Sequence, residues 1–152
     1  MIPELVDGVL PEGVHDCTFA EVSEAFGRFW RTDQRIRLTE RLRDFLDAAR
    51  LSGVAAAVVI DGSYVTAKEV PNDIDVLVAV RTDVDLTVPP PPFVYNILSK
   101  RAIRRTYGFD AFVLQDAGED YRKWVEFFSR VRSDDPDQPT ARSRKGLLRV
   151  VL

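Results

Sequence analysis

The sequence predicts an α/β (α+β) fold: a small mixed sheet of about four strands, with helices packed mainly on one side. Three observations predict it. Short apolar runs at 54–60, 74–78, 109–114 and 147–152 are bounded by Gly, Asp or other turn residues, as strands are. Longer stretches with apolar residues three and four apart lie between them, as amphipathic helices do. Gly, Pro and Asn separate the two kinds of segment. The expected order is helix, helix, strand, short helix, strand, helix, strand, helix, strand. All 152 residues read as one domain.

Residues 1–17, with Pro3, Gly8, Pro11 and Gly13, read as an extended N-terminal arm. His15, Asp16 and Cys17 are ligand types, but three in a row cannot all face one metal. His15 is expected to be a hydrogen-bonded surface or hinge histidine. Thr18 and Glu21 have the spacing of a capping box and open a short helix to about Gly27. Phe26, Phe29 and Trp30 read as a packed aromatic cluster. Thr32 or Asp33 caps a longer helix, in which Leu38, Leu42, Phe45, Leu46 and Ala49 form one apolar stripe. Arg35, Arg37, Arg41 and Arg43 lie mostly off that stripe and read as a solvated, ion-paired face with Glu40, Asp44 and Asp47. Ser52 and Gly53 stop the helix.

The run 54–60 is a buried strand. Gly62 lets the backbone turn sharply, and Ser63 adds a hydroxyl and an N–H where a helical turn begins. Such a turn offers unpaired N–H groups to an anion. Pro71 and Asn72 reset the chain, and Asp73, Ile74 and Asp75 lead the next strand. Residues two apart on a strand share a face, so Asp73 and Asp75 set two carboxylates side by side. Each resists ionising beside the other, and a divalent cation relieves the repulsion. Hard carboxylate oxygens suit Mg²⁺. Asp110 enters a further strand and offers a third carboxylate. Three aspartates converging on two Mg²⁺ ions, about 3.5–4 Å apart, would activate a hydroxyl and stabilise a leaving pyrophosphate. Lys68, between the two halves, reads either as an ammonium near the triphosphate or as an exposed lysine pairing with Glu69 or an aspartate.

Asp83 and Asp85 follow a strand end and read as solvated. Pro89 to Pro92 is a stiff extended connector. The segment 93–106 reads as one helix whose later part is basic, with Lys100, Arg101, Arg104 and Arg105. That run is either a contact for triphosphate or RNA phosphates, or a solvated helix end suited to the dipole. Gly118 or Asp120 starts the last helix, with Tyr121, Trp124, Val125, Phe128 and Val131 on one face. The stretch 134–139 is a solvated turn. Arg142, Arg144 and Lys145 form a second basic cluster, and 147–152 is a terminal strand at the sheet edge.

With its motif of Gly62-Ser63, Asp73-Ile74-Asp75 and Asp110, the chain resembles the polymerase-beta-like nucleotidyltransferase superfamily. Within it, the chain looks most similar to minimal and abortive-infection-type bacterial nucleotidyltransferases, over most of its length. The resemblance implies the nucleotidyltransferase fold, an NTP such as ATP as donor, and two Mg²⁺ ions, with Mn²⁺ as a substitute. It implies that Asp73, Asp75 and Asp110 bind metal and act in catalysis, and that Gly62, Ser63 and Lys68 hold the nucleotide. The acceptor would be a protein or RNA hydroxyl, in a toxin–antitoxin or phage-defence setting. The chain lacks the helical second domain of larger relatives, which points to a partner protein or a homodimer. Two alternatives remain: a catalytically silent nucleotidyltransferase fold acting as a binding or antitoxin partner, and a metal nuclease.

Composition narrows the classes. Hydrophobic residues are 45% and charged residues 30%, as in water-soluble globular domains. A formal net charge of −3 argues against a general nucleic-acid coat, and no DNA partner is expected. Cys17 is the single cysteine, so no internal disulfide forms, which fits a reducing cytoplasm. No apolar run nears the ~20 residues that span a bilayer, and no basic-then-apolar leader opens the chain.

Overall fold

The computed structural model describes residues 1–130 and 144–152. Val131, the 134–139 turn and Arg142 lie outside them. Among the described residues, five strands form one mixed sheet: β1 (Gly13–Cys17), β2 (Ala55–Asp61), β3 (Asp75–Val80), β4 (Asp110–Gln115) and β5 (Gly146–Val151). Their spatial order is β1-β5-β2-β3-β4. β2 runs antiparallel to both β3 and β5, while β1–β5 and β3–β4 are parallel pairs. The helices are α1 (Phe19–Phe26), α2 (Gln34–Ser52), α3 (Pro92–Leu98), α4 (Lys100–Tyr107) and α5 (Glu119–Phe128).

β2 and β3 are sealed on both faces, so their sequences run apolar without a polar alternation. Val58, Ile60, Val76 and Val78 join the core beneath α1 to α4. Val59 and Leu77 point the other way, into a smaller cluster under α5. There Trp124 stacks on Phe128 at 4.3 Å, and Phe112 meets Trp124 edge-on at 5.7 Å. Among the described residues, four α-helices thus cover one face and a single α-helix the other.

Several expectations need correction. The extended arm is in part a strand of the sheet: 13–17 pair with β5, giving a fifth strand beyond the four expected. The terminal strand is therefore interior, between β1 and β2, rather than at the edge. The helix expected over 93–106 is two helices. Ser99 breaks it with extended backbone, and its hydroxyl caps α4 by accepting from the Ala102 N–H. The aromatic cluster does not pack as a unit, because Phe26 is buried while Phe29 and Trp30 are exposed. Arg35 is not on a solvated face either; it is 3% exposed. The Thr18–Glu21 capping box is present in both directions, and the α2 stripe from Leu38 to Ala49 is buried. His15 Nε2 lies 2.7 Å from the Pro11 carbonyl.

Candidate active site

The turn after β2 is built from a close backbone approach and a set of hydrogen bonds to Asp73 and Ser63. Gly62 has φ +94°, and a Cβ there would stand 2.9 Å from the Asp73 carbonyl oxygen, so the approach of 62 to 73 needs glycine. The Tyr64 N–H donates to that same carbonyl at 3.2 Å. Ser63 donates to Asp73 Oδ1 through both its N–H, at 3.0 Å, and its hydroxyl. The Ser63 oxygen in turn accepts from the Asn72 N–H at 3.0 Å. Ser63 and Asp73 therefore form one unit across ten residues of chain.

Arg35 braces this unit from below. Its guanidinium donates to the carbonyls of Phe26, Tyr64, Thr66 and Lys68, at 2.5–3.2 Å. Burial pushes its pKa down. The Tyr64 hydroxyl is 2.6 Å from Thr39 Oγ1, and burial pushes its pKa up to about 12, so it stays a neutral strut. A single arginine on α2 thus fixes four carbonyls, three of them in the connector between the motif halves. Its sequence position gave no sign of this. The carbonyls it binds are backbone atoms from two other segments, which no side-chain periodicity reports.

The carboxylates line up through strand register. Asp61 is opposite Asp75 on the antiparallel neighbour, and Asp75 is opposite Asp110 on the parallel neighbour. Alternation then puts all three on the α5 side of the sheet, the side of Val59, Leu77 and Phe112. Asp73 does not share that alternation as expected: β3 begins at Asp75, so Asp73 joins the row from the preceding loop, held there by Ser63. The Asp75 pKa is pushed from its ordinary 3.8 up to about 6. Burial is the main cause, followed by the charges of Asp73, Asp61 and Asp110, with Lys145 offsetting part.

Asp61 and Lys145 are site residues that sequence reasoning missed. Asp61 is buried, and Lys145 Nζ donates to its Oδ1 at 2.6 Å. A signal existed: Asp61 ends a fully apolar strand, where an unpartnered acid is costly. Asp110 is exposed and ion-paired with Arg104.

These groups line a two-lobed cleft. One lobe, about 400 Å³, is bounded by Gly62, Ser63, Thr66, Arg130 and Lys145. The other, about 740 Å³, is bounded by Asp110, Phe112 and the four cations of α4. Asp73, Asp75 and Phe128 line both. Lys68 is exposed and lines neither lobe. Its carbonyl serves Arg35 instead. Of the sequence-predicted site residues, Gly62, Ser63, Asp73, Asp75 and Asp110 are brought together, and Lys68 is not.

Among the described residues, no three His, Cys, Asp or Glu side chains are arranged to hold a metal ion as they stand. Asp110 is turned onto Arg104, and one Asp73 oxygen takes both Ser63 bonds. The donor set itself fits a hard divalent cation. It is all carboxylate, and the negative charge around Asp75 exceeds what Lys145 offsets.

Among the described residues, no helix is long and apolar enough to cross a membrane. No curated protein and no solved structure matches the chain. A family model does, over residues 3–151, which is nearly the whole sequence. The chain therefore belongs to that family, DUF6932, a family of unknown function.

Proposed function

We propose that this chain is a metal-dependent nucleotidyltransferase that moves a nucleoside monophosphate from an NTP to a protein or RNA hydroxyl. The observation that supports it most is the row Asp61, Asp75 and Asp110 across three adjacent strands, with Asp73 and the Gly62–Ser63 turn at its end. The sequence resemblance to polymerase-beta-like nucleotidyltransferases supports the same reading.

In this reading the acceptor hydroxyl gives up its proton with the help of Asp110, and its oxygen attacks the α-phosphorus of the NTP. The bond from that phosphorus to the bridging oxygen breaks, and pyrophosphate leaves with the electron pair. Asp73, Asp75 and Asp110 would hold two Mg²⁺ ions, or Mn²⁺, which supply Lewis-acid activation of the hydroxyl and charge neutralisation of the leaving group. The triphosphate would lie against the Gly62–Ser63 turn and take over the Ser63 N–H and hydroxyl, which donate to Asp73 Oδ1 in the free chain. Lys145 and Arg130, which line that lobe, take the electrostatic role that the sequence suggested for Lys68. Asp75 orients the reacting groups from the junction of the lobes. A reducing, cytoplasmic setting and a toxin–antitoxin or phage-defence role belong to the same proposal.

A second reading is a catalytically silent nucleotidyltransferase fold that serves as a binding or antitoxin partner. Arg104 and Lys145 favour it, since each already neutralises one of the four acids within the chain. The experiment is incubation with each radiolabelled NTP, Mg²⁺ and cell extract. Label transfer that is lost in Asp75→Ala supports the enzyme. Nucleotide binding without transfer supports the silent fold, and cleavage of added RNA without transfer would indicate a nuclease.

A further inference from the structure

The four cations of α4 have no assigned task once the triphosphate is seated on the Gly62–Ser63 turn. Lys100 and Arg104, and Arg101 and Arg105, are each four apart, so the two pairs form one continuous face of the helix. Ala102 and Ile103 turn inward and are buried. That face lines the 740 Å³ lobe, opposite Asp73, Asp75 and Asp110. Four cations in an eight-residue helix contrast with a chain whose formal net charge is −3.

Their partners within the chain are few. Arg104 is paired with Asp110, and the Lys100 ammonium sits 4.5 Å above the Phe112 ring. Among the described residues, no carboxylate lies within ion-pair distance of Arg101 or Arg105, and both are exposed to the lobe. Two arginines held side by side without an anion repel each other, and a phosphate group relieves that as it binds. The lobe has the volume of a site for a nucleotide-sized group.

Resting on the nucleotidyltransferase reading, we propose that the α4 lobe is the acceptor subsite and that the acceptor hydroxyl is flanked by phosphate groups. The acids then lie between two anion-holding lobes, the donor triphosphate on one side and the acceptor phosphate on the other. Arg101 and Arg105 bind that phosphate directly. A phosphate that also draws Arg104 away releases Asp110, so docking of the acceptor completes the set of free carboxylates. An oligoribonucleotide end and a small phosphorylated molecule share this chemistry.

The test uses the full chain and the double variant Arg101→Glu/Arg105→Glu. Both positions are exposed, and a thermal melt equal to the wild type's checks the fold. The probes are a short fluorescein-labelled oligoribonucleotide, a sugar phosphate as competitor, and a fluorescent ATP analogue with Mg²⁺. The expected result is at least about a tenfold loss of oligoribonucleotide affinity in the variant and a shallower salt dependence. The ATP analogue should bind within about twofold of wild type, since its lobe is the other one. Displacement of the oligoribonucleotide by the sugar phosphate assigns the subsite to small phosphorylated acceptors. Failure of the sugar phosphate to displace it assigns the subsite to a polynucleotide. Equal loss of both probes in the variant would overturn the proposal, because α4 would then serve the donor. So would unchanged oligoribonucleotide binding, or wild type that binds neither phosphate probe. Label transfer to an unphosphorylated protein that the variant performs normally would also overturn it. If the wild type binds no ATP analogue, the nucleotidyltransferase reading fails by itself, while selective loss of the oligoribonucleotide still upholds a phosphate subsite on α4.

Discussion

Asp75 is the residue whose environment is most at odds with its charge. In the unfolded chain its carboxyl titrates near 3.8, and in the folded chain near 6. Below the lower value both states hold the proton, and the folded state has its full stability. Between the two values only the folded state keeps the proton, so stability falls as pH rises through that window. Above about 6 the loss is complete. In metal-free protein, Asp75→Asn removes the ionised group and should raise stability at pH 7.5 by about 1 kcal/mol, after discounting for solvent screening at a partly buried group. That corresponds to a melting temperature higher by about 2–4 °C, with little difference from wild type at pH 3.5. An unchanged or lower melting temperature at pH 7.5 would contradict this reading of the site. At this scale Asp75 and Asp110 were legible in sequence because each enters a strand, whereas Asp73 reaches them from the loop before β3 through Ser63 and not by alternation along a strand. Asp61 and Lys145 were not, because their partnership depends on how β2, β3 and β5 register. Arg35 was misread for a related reason: burial of a cation by backbone carbonyls leaves no acidic partner to be seen.

The turn between β2 and β3 is the element on which the smaller lobe depends. Gly53 and Gly62 both have positive φ, +70° and +94°. A Cβ at Gly53 meets nothing within 4 Å, whereas one at Gly62 meets the Asp73 carbonyl and the Asp75 nitrogen at 2.9 and 3.1 Å. Gly53→Ala should therefore cost about 1 kcal/mol for its backbone conformation alone. Gly62→Ala should cost roughly 2–3 kcal/mol, because it also parts the turn from β3. Urea unfolding midpoints of the two variants measure the difference, and equal costs would contradict the close approach. Strand and helix existence was legible at this scale wherever periodicity was strong, as in β2, β3, α2 and α5. The break at Ser99 was not, since a serine inside a helical pattern is unremarkable until its hydroxyl caps the Ala102 N–H. β1 was hidden because a five-residue strand with Gly13 and exposed Val14 and Asp16 has little apolar signal of its own. Its place is fixed by β5, more than a hundred residues away.

Across the whole molecule, the sheet separates two tasks. The face under α1 to α4 holds most of the core, and the acids gather at the strand ends on the face under α5. Charge follows the same division: aspartates converge at the centre of the cleft, with Lys145 and Arg130 on one side and the α4 cations on the other. The α/β class and the meeting of 73, 75 and 110 were legible in the sequence, because short buried strands leave few ways to pack. The two-lobed shape could not, since it depends on where α4 and α5 end relative to the strands. The most direct test of the central claim is anomalous diffraction from crystals grown with Mn²⁺ and a non-hydrolysable NTP. The account predicts Mn²⁺ peaks at the carboxylates of Asp73 and Asp75 and a triphosphate on the Gly62–Ser63 turn. Peaks away from Asp75, or a nucleotide seated elsewhere on the chain, would contradict it.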